Sequence, residues 1–436
     1  LRKNSIFLAF FLFFCVSLCI FAQRSELTLE DAVSLALKNN LSLKKTEIDL
    51  ASSGYSERNL WSEIFPSINA NAGIGYRWSP FSDPVQTAGY GFNYSIGFGV
   101  SLGLNAGISF TIKSIQLAHQ GNILKYEDAR NQLSIQIIKI FFSLVAEKNN
   151  LLFLEEVFSL AQRQYSRSET LFRNGLVGEL SFTQSRLALE NARYSLSAAR
   201  IAHNNNMSEF CAMLGISAND NLELSGETSL VRIEADSCSL IQKYLPLRPD
   251  IIRGNQEIER LAMAERQTFW QNRAPSLNLG IDWSSSSFDP FADSLSASAR
   301  LSIPVDSWIP GTSRYQSITR ASDTLEKAKI DLTIAENSAK TQISSLSALL
   351  HNSWDSILIA RLSLEAATRN YQLTEHAFNN GSVESLVLED ARNNMTNARG
   401  RLIQTELSYF NMILDLSAAL NIDWKNLIDN YGVQGE

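Results

Sequence analysis

The sequence predicts a mostly α chain with transmembrane β: tandem-duplicated long helical hairpins and four strands per chain. Three observations carry this. Every even position from Tyr90 to Phe110 is apolar, and every odd position between them is Gly, Asn or Ser. A long Pro-free stretch from Pro84 to Pro246 shows mainly helical spacing beyond that run. The second half of the chain then repeats the landmarks of the first.

The alternating run is the informative strand. Side chains alternate faces along a strand, so Phe92, Tyr94, Ile96, Phe98, Val100 and Leu102 form one greasy band, read here as lipid-facing. A soluble sheet also alternates. This run, however, is about twice the ~9–11 residues that a tilted strand needs to cross a bilayer. Its polar face also lacks the Lys and Glu that a sheet normally shows to water.

In chain order, residues 1–22 read as a secretory signal: Arg2 and Lys3, the apolar Ile6–Phe21, and Ala22 before Gln23. A retained anchor and a lipoprotein signal ending at Cys19 are the alternatives. The first repeat, 23–218, opens with Thr28 as N-cap and Asp31 in an acidic first turn. A helix with Leu29, Val33, Ala36, Leu37 and Leu41 on one side is expected to run past Lys44 to about Trp61. Pro66 breaks it, and the hairpin 66–111 follows: Ile68–Trp78 in period two, the Pro-containing loop Ser79–Ala88, then the long strand. Near Thr111 the period turns helical, with Ile135, Ile138, Phe142 and Val145 as a coiled-coil seam. One helix over Lys113–Arg173 would be ~90 Å long. The turn 174–180 leads to a helix from about Ser181 to Leu214, and 219–246 reads as a polar linker or small equatorial element.

The second repeat, 247–422, begins at Leu247-Arg248-Pro249-Asp250, with Pro249 in the first helical turn. Pro275 ends that helix, and the hairpin 275–303 follows: Leu277, Leu279, Ile281 and Trp283 alternate with polar residues, a Ser-rich loop holds Pro290, and Leu295–Ile303 alternates again. A helix from about Thr312 carries Leu325, Ala328, Leu332, Ala335, Ala339, Gln342, Leu346 and Leu349 in heptad register to the turn 380–383. A last helix runs from about Glu384 to Leu420, leaving 423–436 as a tail. Tyr165, Phe172, Asn174, Gly175, Val177, Leu180, Arg186, Ala192 and Arg193 recur as Tyr371, Phe378, Asn380, Gly381, Val383, Leu386, Arg392, Ala398 and Arg399, all 206 residues later. The chain is a tandem duplication.

Four strands cannot close a membrane barrel, since about eight is the minimum, and open edges in lipid leave backbone groups unsatisfied. Strands in the membrane therefore require a homo-oligomer. The 38 basic and 45 acidic residues give a formal charge of −7, and loss of Arg2 and Lys3 with the signal takes it to −9. Nucleic acid, which needs a basic footprint, is not an expected partner. Cys211 and Cys238 are the two cysteines beyond the signal, and a disulfide between them is left open. His119, His203, His351 and His376 show neither metal-ligand spacing nor carboxylate partners. With no phosphate-cradling Gly motif and no nucleophile elbow, neither an enzyme nor a cofactor or metal site is expected. A structural or adhesive coiled-coil envelope protein without a pore is the rival to an export duct.

Leu27-Thr28-Leu29-Glu30-Asp31-Ala32-Val33, Ala36-Leu37-Lys38-Asn39-Asn40, both Pro-Ser-[Ile/Leu]-Asn strand entries, Leu247-Arg248-Pro249-Asp250, Ser302-Ile303-Pro304-Val305 with Gly311, and both Asn-Gly turns occur in an order that resembles the TolC-type outer-membrane efflux protein family. The resemblance covers essentially all of the chain after the signal. It implies a homotrimer in the bacterial outer membrane, with a twelve-stranded β-barrel set in lipid and a helical α-barrel tunnel in the periplasm. It also implies docking to a periplasmic adaptor (membrane fusion) protein and an inner-membrane RND or ABC-type transporter, in efflux or type I secretion. The adaptor-contact tips would be Asn174, Gly175, Val177 and Gly178, with Asn380, Gly381 and Val383. Asp390 matches a position where the family narrows its entrance with an acidic ring, and Glu389 lies beside it. Val387 stands at another commonly acidic position, and Gln184 is the first-half counterpart of Asp390, so a ring here would be thinner. Cargo is not legible.

Overall fold

The computed structural model describes residues 26–77, 91–217, 222–226, 230–286 and 292–433. The expected signal at 1–22 with Cys15 and Cys19, Trp78, the loop Ser79–Ala88, Tyr90 and the loop around Pro290 lie outside the described residues. The chain runs β1 (Glu26–Leu27), α1 (Leu29–Asn39), α2 (Leu41–Arg58), β2 (Ser67–Arg77), β3 (Gly91–Asn105), α3 (Ile108–Arg173), α4 (Glu179–Leu214), β4 (Glu223–Leu224) and β5 (Arg232–Ile233). It continues with α5 (Ser237–Tyr244), α6 (Pro249–Arg273), β6 (Ser276–Ser286), β7 (Ala292–Ser302), α7 (Ser313–Asn379), α8 (Ser385–Leu420), α9 (Trp424–Tyr431) and β8 (Gly432–Val433). The helix–strand–strand–long helix–turn–helix order is repeated, as the sequence predicts. The chain forms two compact units, and each draws on both repeats.

The helical unit comprises the described parts of Leu1–Lys45, Asp128–Arg248 and Ala339–Glu436. It has three apolar clusters. Phe141, Phe210, Leu144 and Leu414 centre the first, and Tyr409, Ile413, Ile357 and Leu420 the second. Phe153, Val157, Ala192, Leu388 and Met395 form the third. Thr28 caps α1 as expected, its Oγ1 accepting from the Asp31 amide at 3.2 Å and donating to Asp31 Oδ2 at 2.7 Å. The single helix expected to about Trp61 is instead two, because Asn40 interrupts it with ψ at 125°. Its Oδ1 accepts from the Ser42 and Leu43 amides, opening α2, while its Nδ2 donates to the Met213 carbonyl at 3.0 Å. That competing side-chain bonding ends one helix and starts the next.

Other expectations are corrected in the same unit. Of the two readings left open for 219–246, the described residues fit the small structured element: they hold two short strands and α5, and β4 lies parallel to β1. The 423–436 tail holds α9, capped by Asp423, and β8 paired with β5. Along α7 the buried positions after Ala339 are Ile343, Leu350, Trp354, Ile357, Ala360 and Tyr371, so Gln342 and Leu349 leave the seam, the latter 45% exposed. Two successive four-residue steps, Ala335 to Ala339 to Ile343, shift the register; such an insertion locally unwinds a coiled coil. On α3, Ile138, Phe142 and Val145 are buried as expected, Ile135 is half-buried, and Ile137, Phe141 and Leu144 form a second buried row. Cys211 is a buried thiol and Cys238 an exposed one, so no disulfide joins them. His203 does have a carboxylate neighbour, Glu147, 3.4 Å away on the facing helix; sequence spacing could not reveal that pair.

The strand-bearing unit comprises the described parts of Thr46–Glu127 and Pro249–Ser338. Its sheet has the order β2-β3-β6-β7, with antiparallel neighbours throughout. The β3 strand ends at Asn105 rather than Phe110. The Asn105 side chain accepts from the Gly107 amide at 2.8 Å, and the Gly107 carbonyl accepts from Phe110 and Thr111, starting α3. Ala106, Ile108 and Phe110 are therefore outside the strand.

Register lays Ile68, Val100, Ile281 and Ala297 in one row across the sheet, and Ala70, Phe98, Trp283 and Leu295 in the next. The Phe98 and Trp283 rings stack at 5.8 Å. This face is apolar but for polar positions near the loop end, including Asp293. Phe92, Tyr94, Ile96, Phe98 and Val100 are all exposed on it, Phe92 at 79%, and Leu102 is half-exposed. The opposite face carries Asn69, Asn71, Ser101, Gly97, Gly99 and Asp282. A Cβ at Gly97 would lie 2.7 Å from Asn71 Oδ1, and one at Gly99 only 2.5 Å from Asp282 Oδ1. Glycine on β3 is thus what lets its neighbours' polar side chains close over it. The outward edges of β2 and β7 pair with nothing among the described residues.

Candidate functional site: the helix-turn end

The two turns are built alike because their sequences are alike. Gly175, at φ +69°, donates to the Phe172 carbonyl, and Leu176 donates to that of Leu171. Gly381, at φ +75°, donates to Phe378, and Ser382 to Ala377. Both are Schellman caps, which satisfy the last helical carbonyls and favour glycine at the left-handed position. A Cβ at Gly175, Gly178 or Gly381 would meet nothing within 4 Å, so the left-handed backbone, not crowding, calls for glycine at 175 and 381. Gly178 and Glu384 then serve as N-caps of α4 and α8 without side-chain bonds.

Between the turns lies a cavity of about 640 Å³, bordered by Arg163, Arg167, Gln184, Glu375, Phe378 and Leu388 among others. Val177, Gly178, Gly381 and Val383 line it as well, so the sequence-predicted tip residues of both turns meet at one place. Asn174 and Asn380 sit exposed at the turns. At this end, three polar bonds among the described residues tie the hairpins together. Arg167 donates to Asn379 Oδ1 at 2.7 Å, Ser385 to Gln184 Oε1 at 3.2 Å, and Arg392 to Gln164 Oε1 at 3.3 Å.

Asp390 and Glu389 point differently. Asp390 is exposed, whereas Glu389 is half-buried with its carboxylate 3.8 Å from the Arg392 guanidinium. Burial raises the Glu389 carboxyl above its ordinary range; Arg392 opposes the shift and the Asp390 charge adds to it. Arg392 is itself buried, and that burial lowers its pKa from the usual guanidinium value. Nearby, burial beside Glu375 pushes the Tyr371 hydroxyl up to about 12.

The roles of Arg392, Gln164, Arg167 and Glu375 were missed in the sequence. The available signal was the repeat itself: Arg392 matches Arg186, which is exposed, so one position of the duplication has moved from surface to core. Phe182 likewise stacks on Phe172 at 4.9 Å, where its counterpart 206 residues on is Leu388.

The sequence profile for the outer membrane efflux protein matches residues 32–215 and 240–421, both repeats. The chain belongs to the outer membrane efflux protein family. This makes it an outer-membrane exit channel of efflux systems, a passive duct and not an enzyme, with a helical tunnel in the periplasm.

Solved structures share the fold. The Campylobacter jejuni CmeC outer membrane channel is 20% identical, with 92% of this chain and 88% of that one aligned at a TM-score of 0.74. The Vibrio cholerae outer membrane protein VceC is 15% identical over 91% and 96%, at 0.69. The Neisseria gonorrhoeae MtrE outer membrane channel, in its open state, is 17% identical over 90% and 89%, at 0.65. No curated protein sequence matches the chain significantly. The rival expectation of a pore-less adhesive protein falls with the family assignment.

Proposed function

We propose that this efflux protein works as a homotrimer whose twelve strands close one barrel in outer-membrane lipid. The observation that carries this is the four-stranded sheet, with one apolar face, one small polar face and two unpaired edges. In lipid such edges cost several kcal/mol per unsatisfied backbone group, and identical neighbours satisfy them. The helices agree: on α4, Leu180, Leu187, Tyr194 and Ile201 recur every seventh residue and are all exposed in the single chain. Such a heptad row fits a helix of the next copy.

The turns at 174–178 and 380–383 receive the hairpin tips of a periplasmic adaptor, and an RND or ABC-type inner-membrane transporter supplies the energy. Efflux or type I secretion is the setting. Three copies of Asp390, facing one axis with Glu389 behind them, form an acidic entrance that favours cations.

Native mass measurement of the detergent-extracted protein is expected to give three chains; a single well-folded copy would end the proposal. In planar bilayers, Asp390→Ala should lower cation preference. Unchanged selectivity would remove Asp390 from the entrance.

A further inference from the structure

The polar face of the sheet is Ser, Asn or Gly at almost every position from its helix end as far as Ser286. Two charges break that pattern. Arg300 on β7 pairs with Asn278, and Asp282 lies four residues farther along β6, opposite Ser296. At ~3.4 Å per residue they are ~14 Å apart along the strands. The Gly280–Ser298 row lies between them.

Neither charge is neutralised where it stands. Arg300 and Asp282 are both exposed, and neither ion-pairs among the described residues. The polar side chains of β6 lean toward β3 and away from β7. A Cβ at Gly99 would lie 2.5 Å from Asp282 Oδ1, and one at Gly103 would lie 3.1 Å from Asn278 Oδ1. Glycine on β3 thus gives Asp282 a resting place on the side opposite Arg300. In the proposed trimer the outer edge of β7 would meet β2 of the next copy. The polar face of that strand carries Ser67, Asn69, Asn71, Gly73 and Gly75. Whichever of these falls beside Arg300, none is a carboxylate.

A wall charge in a wet lumen acts over about a Debye length, ~10 Å at 0.1 M salt and ~30 Å at 0.01 M. Both charges therefore reach the space over the row between them. Lumen-facing residues tune selectivity in such barrels. We infer that Arg300 and Asp282 together set the charge preference of the barrel lumen and hold it balanced. Three guanidiniums and three carboxylates line one zone of the wall, and cations, anions and zwitterions pass it on equal terms. Selection by sign then belongs to the acidic entrance, far from the strands. The inference rests on the trimeric barrel proposed above.

A cysteine at Ser298, one row from each charge, reads the local potential in the full chain carrying Cys238→Ser; Cys211 is buried. The assembled protein in lipid vesicles, at about 0.01 M salt, is treated with methanethiosulfonates bearing either a sulfonate or a trimethylammonium group. The ratio of the two rates is normalised to the same chain unfolded in urea. A ratio near one is expected. Arg300→Gln should turn it roughly fourfold toward the cationic reagent, and Asp282→Asn roughly fourfold toward the anionic one. That is the effect of one unit charge ~8 Å away in water, about twofold on each reagent in opposite directions. The two substitutions together should restore parity, and Arg300→Lys alone should keep it. About 1 M salt should flatten every difference.

A ratio far from one with both residues in place overturns the balanced wall and leaves the barrel standing. So does an unchanged ratio on neutralising Arg300 or Asp282 while both reagents react. A cysteine at Ser298 closed to both reagents, while the exposed Cys238 of the unsubstituted chain reacts, overturns the wet lumen and the barrel with it.

Discussion

The two units solve opposite problems with the same kinds of residue. In the helical unit the large apolar side chains face each other: Phe141, Phe210, Tyr409, Ile357 and Leu414 are almost wholly buried within a single chain. In the strand-bearing unit the buried apolar residues among those described are Leu117, Ile251 and Ala274, while Phe92, Tyr94, Phe98, Ile74 and Leu295 stand in the open. Burial of apolar area is the main favourable term in folding. One unit therefore gains most of it within its own chain, and the other leaves most of its large apolar side chains open, as the proposed lipid-facing trimer requires. The sheet is half of a solution whose other half is not encoded in the same molecule.

This contrast can be broken most forcefully at Phe141. Phe141→Ala is expected to cost ~3–5 kcal/mol, seen as a lower urea midpoint for loss of helical circular dichroism, because nothing outside the chain can refill that space. Phe98→Arg should cost ~2–4 kcal/mol in the membrane. It should abolish assembled protein in outer-membrane extracts while leaving the unfolding of the helices unchanged; equal damage to both would erase the distinction between the units. Asn40→Ala removes the cap between α1 and α2 and should lower helical stability by about 1 kcal/mol, measured by thermal melting.

The smallest change concerns pH. The Glu389 carboxyl is raised by burial, so its stabilising contribution is present when it is protonated and is lost as pH rises through its folded value. Glu389→Gln should therefore melt higher than the parent at pH 7.5, and the gap should close as pH falls below the unfolded carboxylate value near ~4.3.

What the sequence made legible was local. Thr28 with Asp31, Pro66 before the strand, and Gly175 and Gly381 after their helices each announce a boundary through their own backbone chemistry, and the structure has each boundary there. The alternation on β3 likewise named its exposed face. What stayed hidden depended on a partner far along the chain. Asn40 reads as one more polar helical residue until the Met213 carbonyl is in place. The two-residue strands β1, β4, β5 and β8 are too short to show a period. Arg392 and Arg186 share a sequence context, yet one lies in the hairpin contact and the other in solvent.

That last pair has a consequence for whatever meets the turns. In the proposed ring of three copies, six hairpin ends would alternate between two kinds: one with Phe182, Gln184 and Arg186, the other with Leu388, Asp390 and Arg392. A sixfold partner would find two chemically distinct seats in strict alternation, so its own subunits would have to differ in posture even where their sequences were identical.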